Sequence, residues 1–333
     1  MLFLEGMIPL LGDIAMPQHR THVLGLMLLM GIAGGCGPAE PPAAEEPREE
    51  ELWIARAFTT AGGFTEGVEG PVCDEDGNLY AVSFEREGTI GKVTPDGVAS
   101  VFAVVPDEGR CNGLRIDSEG YLICADYVRH KVHRIDPTTG EFVANLTAGW
   151  TGPEFYQPND VAITSDDTIY FSDPDWTNHG GRIFMITPPP ERKTVLLDDE
   201  LHTTNGITAS PGDKHIYVAQ SYKHNILAYD RRADGTLENK RLLIDFVENG
   251  IPETAVPDGM RCDVEGNLFV AMYGLGKVLV VRPDGTLHSS AVETIGMGPA
   301  NVTFGGLDRR TLYITEKKNG RIEQARVPFP GLR

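Results

Sequence analysis

Four residues whose side chains offer oxygen atoms to a metal ion occupy the same position in different copies of a repeated sequence pattern. They are Glu69, Asn159, Asn205 and Asp258, and each precedes or starts a short apolar run. Two carboxylates and two amide carbonyls form a hard ligand set with a charge of −2, which suits Ca²⁺ and leaves coordination positions for water or a substrate. Zinc fits less well because no His or Cys shares the position. We therefore predict a calcium site here, with other divalent cations as alternatives.

Each of these residues alone could simply cap a turn, which is the commonest role of Asn and Asp in loops. Four of them at equivalent places favour a shared function instead. Asn112 and Asn301 occupy the same position in two further copies of the pattern. We expect Asn112 to face a ligand and Asn301 to cap its turn.

The pattern that carries these residues occurs six times between Val68 and Arg326. Its anchor residues, from Glu69 to Asn301, are separated by 43, 47, 46, 53 and 43 positions. Repeats of about 40 to 50 residues built from short strands are typical of propeller blades. The sequence thus predicts an all-β fold, a six-bladed β-propeller over residues 52–333, without a helix of any length. Closure of the ring would bring the same position of every blade to one end of a central channel.

The strands that must position these anchors are clearest in the first blade. Apolar or alternating runs at residues 71–73, 79–83, 89–93 and 99–102 are separated by turn-forming residues. The sixth blade lacks an outermost strand of its own. Residues 52–59 have strand composition, and we predict that this N-terminal strand pairs with the last blade and closes the ring.

The composition narrows the choice of partners. The formal net charge is −19, and no basic cluster is available to neutralise phosphates, which argues against a nucleic-acid partner. Solubility is the simplest interpretation of the acidic charge. We expect a monomer that acts on a small molecule.

Residues 1–35 have the features of an export signal. A basic flank precedes an apolar run at residues 23–32 and then small residues directly before Cys36. The run is too short to span a bilayer. This order resembles a bacterial lipoprotein signal, in which Cys36 becomes the lipidated first residue, and a simple secretory signal is the alternative. We predict Met16 as the true start.

Residues 36–51 are rich in Pro, Ala and Glu, a composition typical of a disordered tether. Together with the signal, this segment predicts an exported protein attached to the bacterial envelope only through a lipid anchor at Cys36.

Four cysteines remain in the predicted propeller: Cys73, Cys111, Cys124 and Cys262. An exported chain could oxidise them. Cys73 and Cys262, however, occupy the same place in blades one and five, which indicates small buried residues of inner strands. We expect the cysteines to be free.

The blades resemble the senescence-marker-protein/gluconolactonase family, which includes regucalcin and is related to diisopropyl-fluorophosphatase. The resemblance covers about residues 66 to 326. The motifs that carry it are Glu69-Gly70-Pro71, Pro158-Asn159-Asp160, Thr204-Asn205-Gly206 and Pro257-Asp258-Gly259-Met260.

The resemblance implies a divalent metal, usually calcium, in the central tunnel on Glu69, Asn159, Asn205 and Asp258. It also implies that Asp258 transfers a proton or activates water. A lactone or related ester would then be hydrolysed, since the metal polarises the carbonyl and stabilises the oxyanion. Asp258 could act as general acid and base or attack directly as a nucleophile, and the sequence leaves both open.

One position departs from the family. In regucalcin an arginine that helps to hold the sugar acid lies two residues before the position of Asn159, where this chain has Gln157. Arg110, two residues before Asn112, could bind substrate instead, or could be an ordinary surface arginine. The preference for aldonolactones is therefore open. Aromatic residues in the connections around the third blade, Trp150, Tyr156, Trp176 and His179, could form a lid over the pocket or simply pack.

Two classes of function compete on this evidence. The first is a calcium-dependent carboxylic ester hydrolase of the gluconolactonase type, with an organophosphate-hydrolysing relative as a variant. The second is a lipid-anchored propeller that binds a ligand without catalysis and holds a structural calcium, because a fold alone does not fix a function.

Overall fold

The computed structural model describes residues 52–332, which contain 24 strands in six four-stranded antiparallel sheets. This confirms the predicted six-bladed β-propeller. The described part of the chain contains no α-helix and only short 3₁₀ turns at Pro106–Glu108, Pro211–Asp213 and Ser221–Lys223. Across residues 52–332, no helix has the length and apolar character that crossing a membrane requires. The predicted export signal and tether lie outside the described residues.

The six blades follow one another along the chain, each from its innermost to its outermost strand. Blade one contains β2 (Val72–Cys73), β3 (Leu79–Val82), β4 (Thr89–Val93) and β5 (Ala99–Val104). Blade two contains β6 (Cys111–Ile116), β7 (Leu122–Asp126), β8 (Lys131–Ile135) and β9 (Phe142–Asn145). Blade three contains β10 (Val161–Ile163), β11 (Ile169–Asp175), β12 (Gly180–Ile186) and β13 (Thr194–Leu201).

The second half repeats the arrangement. Blade four contains β14 (Thr204–Ala209), β15 (His215–Gln220), β16 (Asn225–Arg231) and β17 (Leu237–Asp245). Blade five contains β18 (Val256–Cys262), β19 (Leu268–Tyr273), β20 (Lys277–Val281) and β21 (Val292–Glu293). Blade six contains β22 (Pro299–Gly305), β23 (Thr311–Glu316), β24 (Arg321–Arg326) and, from the other end of the propeller, β1 (Arg56–Ala57).

The N-terminal strand closes the ring as predicted. β1 pairs antiparallel with β24, with Arg56 opposite Gln324. The hydroxyl of Thr59 extends the contact by accepting the Ile322 N–H at 2.9 Å. The first and last strands thus share one sheet, which leaves neither end of the ring as an open edge.

The core lies between neighbouring blades, where the faces of adjacent sheets pack against each other. One hydrophobic cluster combines residues of blades two and three and is rich in aromatic rings. In it, the Phe184 ring lies 5.0 Å from Phe155 and 5.1 Å from Phe171, centroid to centroid. Such packing fixes the angle between blades and therefore the spacing of the innermost strands around the channel.

The expectation that all the cysteines are free is wrong for one pair. Cys111 and Cys124 form a disulfide, whereas Cys73 and Cys262 are free as predicted. The bond is feasible because β6 and β7 are neighbouring antiparallel strands with a register shift between Cys111 and Leu114. This shift places the Cα atoms of the two cysteines 5.8 Å apart, within the range that a disulfide requires.

Candidate functional site

One cavity of about 270 Å³ brings the four predicted ligands together. Glu69, Asn159, Asn205 and Asp258 all line it, although they come from four different blades. Asn112, expected to face a ligand, lines the same cavity. The periodicity of the sequence therefore identified a set of side chains that share one space.

Glycines directly after the anchor residues allow the innermost strands to approach each other. A Cβ atom on Gly206 would collide with the carbonyl oxygen of Asp258 in the next blade, and one on Gly113 would lie 2.6 Å from an oxygen of Asp160. The Gly113 N–H also donates to the Asn159 carbonyl at 2.7 Å. The missing side chain thus lets one anchor segment contact the next around the ring.

Polar residues near the ends of the second strands hold the loops that lead into the anchors. Asp126 accepts the Arg110 N–H at 2.9 Å, and Asp173 accepts the Gln157 N–H at 2.8 Å. Glu316 accepts the Gly298 N–H at 2.9 Å in the same manner. Each carboxylate therefore fixes the backbone two or three residues before an anchor, which restrains the direction of the anchor side chain.

The orientation of Asn205 is set by a hydrogen bond from its amide nitrogen. Nδ2 donates to the Ser221 hydroxyl at 3.0 Å, and the Asn205 amide also opposes the rise in the pKa of Asp258. The Ser221 hydroxyl in turn donates to the Pro257 carbonyl at 2.8 Å. With the amide nitrogen turned towards Ser221, the Asn205 carbonyl oxygen remains to accept, which is the role of a metal ligand.

Each of the two carboxyl groups of the cavity disfavours the ionised form of the other. Burial raises the pKa of Glu69 above its usual value, and the Lys317 ammonium opposes that rise. Burial and the charge of Glu69 together raise the pKa of Asp258 well above its usual value. Glu69 is only 4% exposed, so water screens this repulsion poorly. A bound cation would relieve it.

Lys317 is a charged cavity residue that the sequence analysis missed. Its Nζ lies 3.5 Å from Oε1 of Glu69, and the charges of Glu69 and Asp258 raise its pKa against the effect of burial. Lys317 directly follows β23, as Tyr127 directly follows β7, and both residues line the cavity. A comparison of the residues that directly follow the second strand of each blade would have indicated that this position, too, can face the cavity.

The donor set fits a hard divalent cation. In residues 52–332 no group of three or more His, Cys, Asp or Glu side chains is arranged to hold a metal ion. A cation in this cavity therefore depends on amide oxygens from Asn159 and Asn205 in addition to the two carboxylates. Oxygen ligands of this mixture match calcium chemistry and not zinc chemistry.

A buried charge cluster lies next to the ligands. Asp160 is fully buried, and its oxygens lie 3.5 Å from Arg115 and 3.3 Å from Arg261. They also accept the backbone N–H groups of Val161 and Ile207, at 2.9 and 3.3 Å. We call Asp160, Arg115 and Arg261 the arginine cluster. It connects blades two, three, four and five around the channel.

The other residues that the sequence analysis considered lie partly in the cavity and partly outside it. Gln157 and Trp176 line the cavity, and the Trp176 ring contacts the exposed Tyr222 at 5.8 Å. Trp150 packs into the core against Phe184. Asn301 satisfies the Val302 N–H at 2.9 Å, which agrees with turn capping.

Three further positions do not line the cavity. The Arg110 guanidinium pairs with Glu87 at the surface and contacts the Tyr127 hydroxyl, so the structure connects it to the cavity only through Tyr127. Tyr156 stacks on the guanidinium of Arg182 at 3.7 Å. His179 contacts Tyr222 at 5.2 Å on the rim, so of the four aromatic residues considered as a lid only Trp176 lines the cavity itself.

Comparison with known proteins identifies the family. The sequence profile described as SMP-30/Gluconolactonase/LRE-like region matches residues 144–318, more than half of the chain. The protein therefore belongs to the SMP-30/gluconolactonase/LRE-like family, as the motifs around the four anchors indicated.

Individual relatives agree with this assignment. The chain is 26% identical to a gluconolactonase of Zymomonas mobilis over 75% of this chain and 76% of the relative. It is also 26% identical to a 6-deoxy-6-sulfogluconolactonase of Pseudomonas putida, over 73% of this chain and 80% of the relative.

Solved structures show the same fold. A gluconolactonase of Xanthomonas campestris matches with a TM-score of 0.68 and 23% identity over 82% of this chain and 89% of that one. A calcium-binding regucalcin of Agrobacterium tumefaciens matches with a TM-score of 0.70 and 19% identity, over 84% and 95% of the two chains.

Proposed function

We propose that this protein hydrolyses a lactone or a related ester with the help of a calcium ion held by Glu69, Asn159, Asn205 and Asp258. The observation that carries the proposal is the convergence of these four side chains on one cavity. Membership of the family and the gluconolactonases among the relatives support the lactone as substrate. The similarity to a calcium-binding regucalcin supports the choice of ion.

Calcium, when bound, would supply a Lewis acid that polarises the lactone carbonyl and stabilises negative charge on its oxygen. Asp258 would accept a proton from the attacking water and return it to the alkoxide that leaves when the ring opens. Asp258 is partly exposed to the cavity, so water reaches it. The Asn205 amide lines the same cavity and opposes the rise in the pKa of Asp258.

The cavity wall would position the substrate. Asn112 and Gln157 offer hydrogen-bonding groups on one side, and Trp176 offers an apolar surface. A volume of about 270 Å³ suits a ligand of one small ring, since drug-sized ligands use pockets of roughly 300–1,000 Å³. Gln157 itself can form hydrogen bonds with a lactone but cannot form an ion pair with an acidic one.

A lactone panel tests this proposal. Purified protein is assayed on gluconolactone and on an aromatic lactone, with calcium and with a chelator, alongside Asp258→Asn. Asp284→Asn is the matched control, because Asp284 is a surface turn residue whose carboxylate accepts from Thr286. We expect calcium-dependent turnover in the native protein and in the control, and none in Asp258→Asn.

The same panel separates the hydrolase from a binding module. Calcium binding without turnover of any lactone or ester would show that the propeller only binds ligands and that its calcium is structural. Turnover that persists in the chelator would reject the role given to the metal.

We further propose that the protein is exported and anchored in the bacterial envelope by lipid at Cys36. The Cys111–Cys124 disulfide supports an oxidising compartment, where such bonds persist. Cys36→Ser should move the protein from the membrane fraction to the soluble fraction of cells that express it. Unaltered membrane partition would contradict the anchor.

A further inference from the structure

The backbone of Lys317 is held in place at the cavity by hydrogen bonds. Its backbone N–H donates to the Gly298 carbonyl at 2.9 Å, and the preceding residue, Glu316, accepts the Gly298 N–H. Two bonds to one loop residue thus fix where the lysine leaves the end of β23. The side chain is 29% exposed, against 5% for the Glu69 side chain that it contacts. The lysine side chain is therefore partly in contact with solvent, whereas the carboxylate side chain is not.

The charge of this lysine acts on the metal ligands. The Lys317 ammonium brings one positive charge into the cavity that the carboxyl groups of Glu69 and Asp258 line. A divalent cation on the same two carboxylates would therefore meet an ammonium group 3.5 Å from one of them. Like charges at such distances repel strongly where water is scarce.

We propose that Lys317 is a built-in competitor of the metal: it pairs with the carboxylates while the site is free of calcium, and it weakens calcium binding. This inference rests on the proposed calcium site and goes beyond it, because it assigns a regulatory function to a residue outside the ligand set. When calcium binds, the Lys317 ammonium moves towards the cavity opening, since Glu69 can no longer serve both cations.

Two consequences distinguish this role from ordinary packing. Loss of the ammonium leaves the buried Glu69 carboxylate without its cation in the metal-free protein, so the metal-free form becomes less stable. The same loss removes a repulsion from the calcium-bound form, so calcium binds more tightly. A residue that only supported the structure would weaken both forms and would not tighten binding.

Calorimetric calcium titration and thermal unfolding of the full chain test the proposal, with Lys317→Met and Lys317→Gln as variants. We expect the Kd for calcium to fall about tenfold or more in both, because one repelling charge is removed. In a chelator both variants should unfold at a lower temperature than the native protein, and saturating calcium should reverse that difference.

Lys318→Met is the matched control. Lys318 is the next residue, lies exposed over the Tyr273 ring at 5.7 Å, and its substitution changes the net charge by the same amount. We expect its Kd to stay within about twofold of the native value, as exposed charges are screened. Lys317→Arg keeps the charge and should not tighten binding.

The outcomes separate this inference from the proposed function. Calcium binding in the native protein that does not tighten in Lys317→Met and Lys317→Gln would overturn the inference and leave the calcium site standing. An absence of calcium binding in the native protein and in every variant would overturn both. Binding that appears only after removal of the ammonium would support the competition in its strongest form.

Discussion

The arginine cluster and the ligand cavity lie next to each other in the channel, yet their buried carboxylates are balanced in different ways. In the arginine cluster, each oxygen of Asp160 accepts from one arginine and one backbone N–H. In the ligand cavity, the two carboxylates have one lysine between them, and the pKa of Asp258 is raised by burial and by Glu69. The difference teaches that a buried carboxylate alone does not mark a functional site. A buried carboxylate is a stronger sign of a functional site when it lies beside a cavity and the protein leaves its charge incompletely balanced.

The largest effect should come from Asp258→Asn in the ligand cavity. The amide cannot accept the proton of the attacking water and is a weaker calcium ligand. We expect lactone turnover to fall by roughly 10²–10⁴-fold, the usual contribution of a general acid or base. Steady-state kinetics at saturating calcium measure it. A loss below tenfold would remove Asp258 from the chemistry.

The corresponding change in the arginine cluster should act on stability. Asp160→Asn leaves Arg115 and Arg261 buried without their carboxylate, and removal of one partner of a buried ion pair costs about 3–5 kcal/mol. Denaturant unfolding should show a loss of this order. If stability were unchanged while turnover collapsed, the cluster would belong to the active site and the comparison would fail.

The stability of the metal-free protein should depend on pH through the ionisation of Asp258. In a chelator, the pKa of Asp258 lies above its unfolded value, so its protonated form stabilises the fold. That stability is complete below the unfolded pKa and is lost as the pH rises through the folded pKa. Asp258→Asn cannot ionise, so it should gain stability relative to the native protein as the pH rises from about 4 to 8.

Thermal unfolding across that pH range provides the measurement. Saturating calcium should reverse the order, because it stabilises the ionised carboxylate of the native protein. A difference between the two proteins that does not change with pH would show that Asp258 is not destabilised by its surroundings.

The smallest effect should follow Arg110→Ala. The guanidinium is 47% exposed and pairs with the 40% exposed Glu87, and exposed ion pairs contribute little. We expect a change in KM below about twofold, whereas Gln157→Ala, in the cavity wall, should raise KM by more. A larger effect at Arg110 would show that it acts on the substrate through Tyr127.

The sequence predicted the parts of the site that repeat. The ligands occupy one blade position, so periodicity alone indicated Glu69 and Asn159, and the pairing of residues 52–59 with the last blade followed from a missing strand. Lys317 was missed because it lies after a second strand and not at an anchor. Its neighbour in the cavity, Tyr127, has the same place in blade two.

Other features depend on contacts that are specific to one blade, and the sequence repeat does not predict such contacts. Asp160 occupies the position where blades one, two, four and five have glycine. The sequence therefore marks Asp160 as an exception to the repeat, but it does not reveal that two arginines contact it. The Cys111–Cys124 bond depends on the register of two adjacent strands within a single blade. No equivalent pair occurs in the other blades, so the repeat could not reveal it.

Turnover of a lactone by chelator-treated protein, titrated with calcium, tests the central claim most directly. We expect no activity in the chelator and a saturable recovery that is complete at one calcium ion per chain. The recovery should be absent in Glu69→Gln. Full activity without calcium, or recovery of the same extent in Glu69→Gln, would contradict the account.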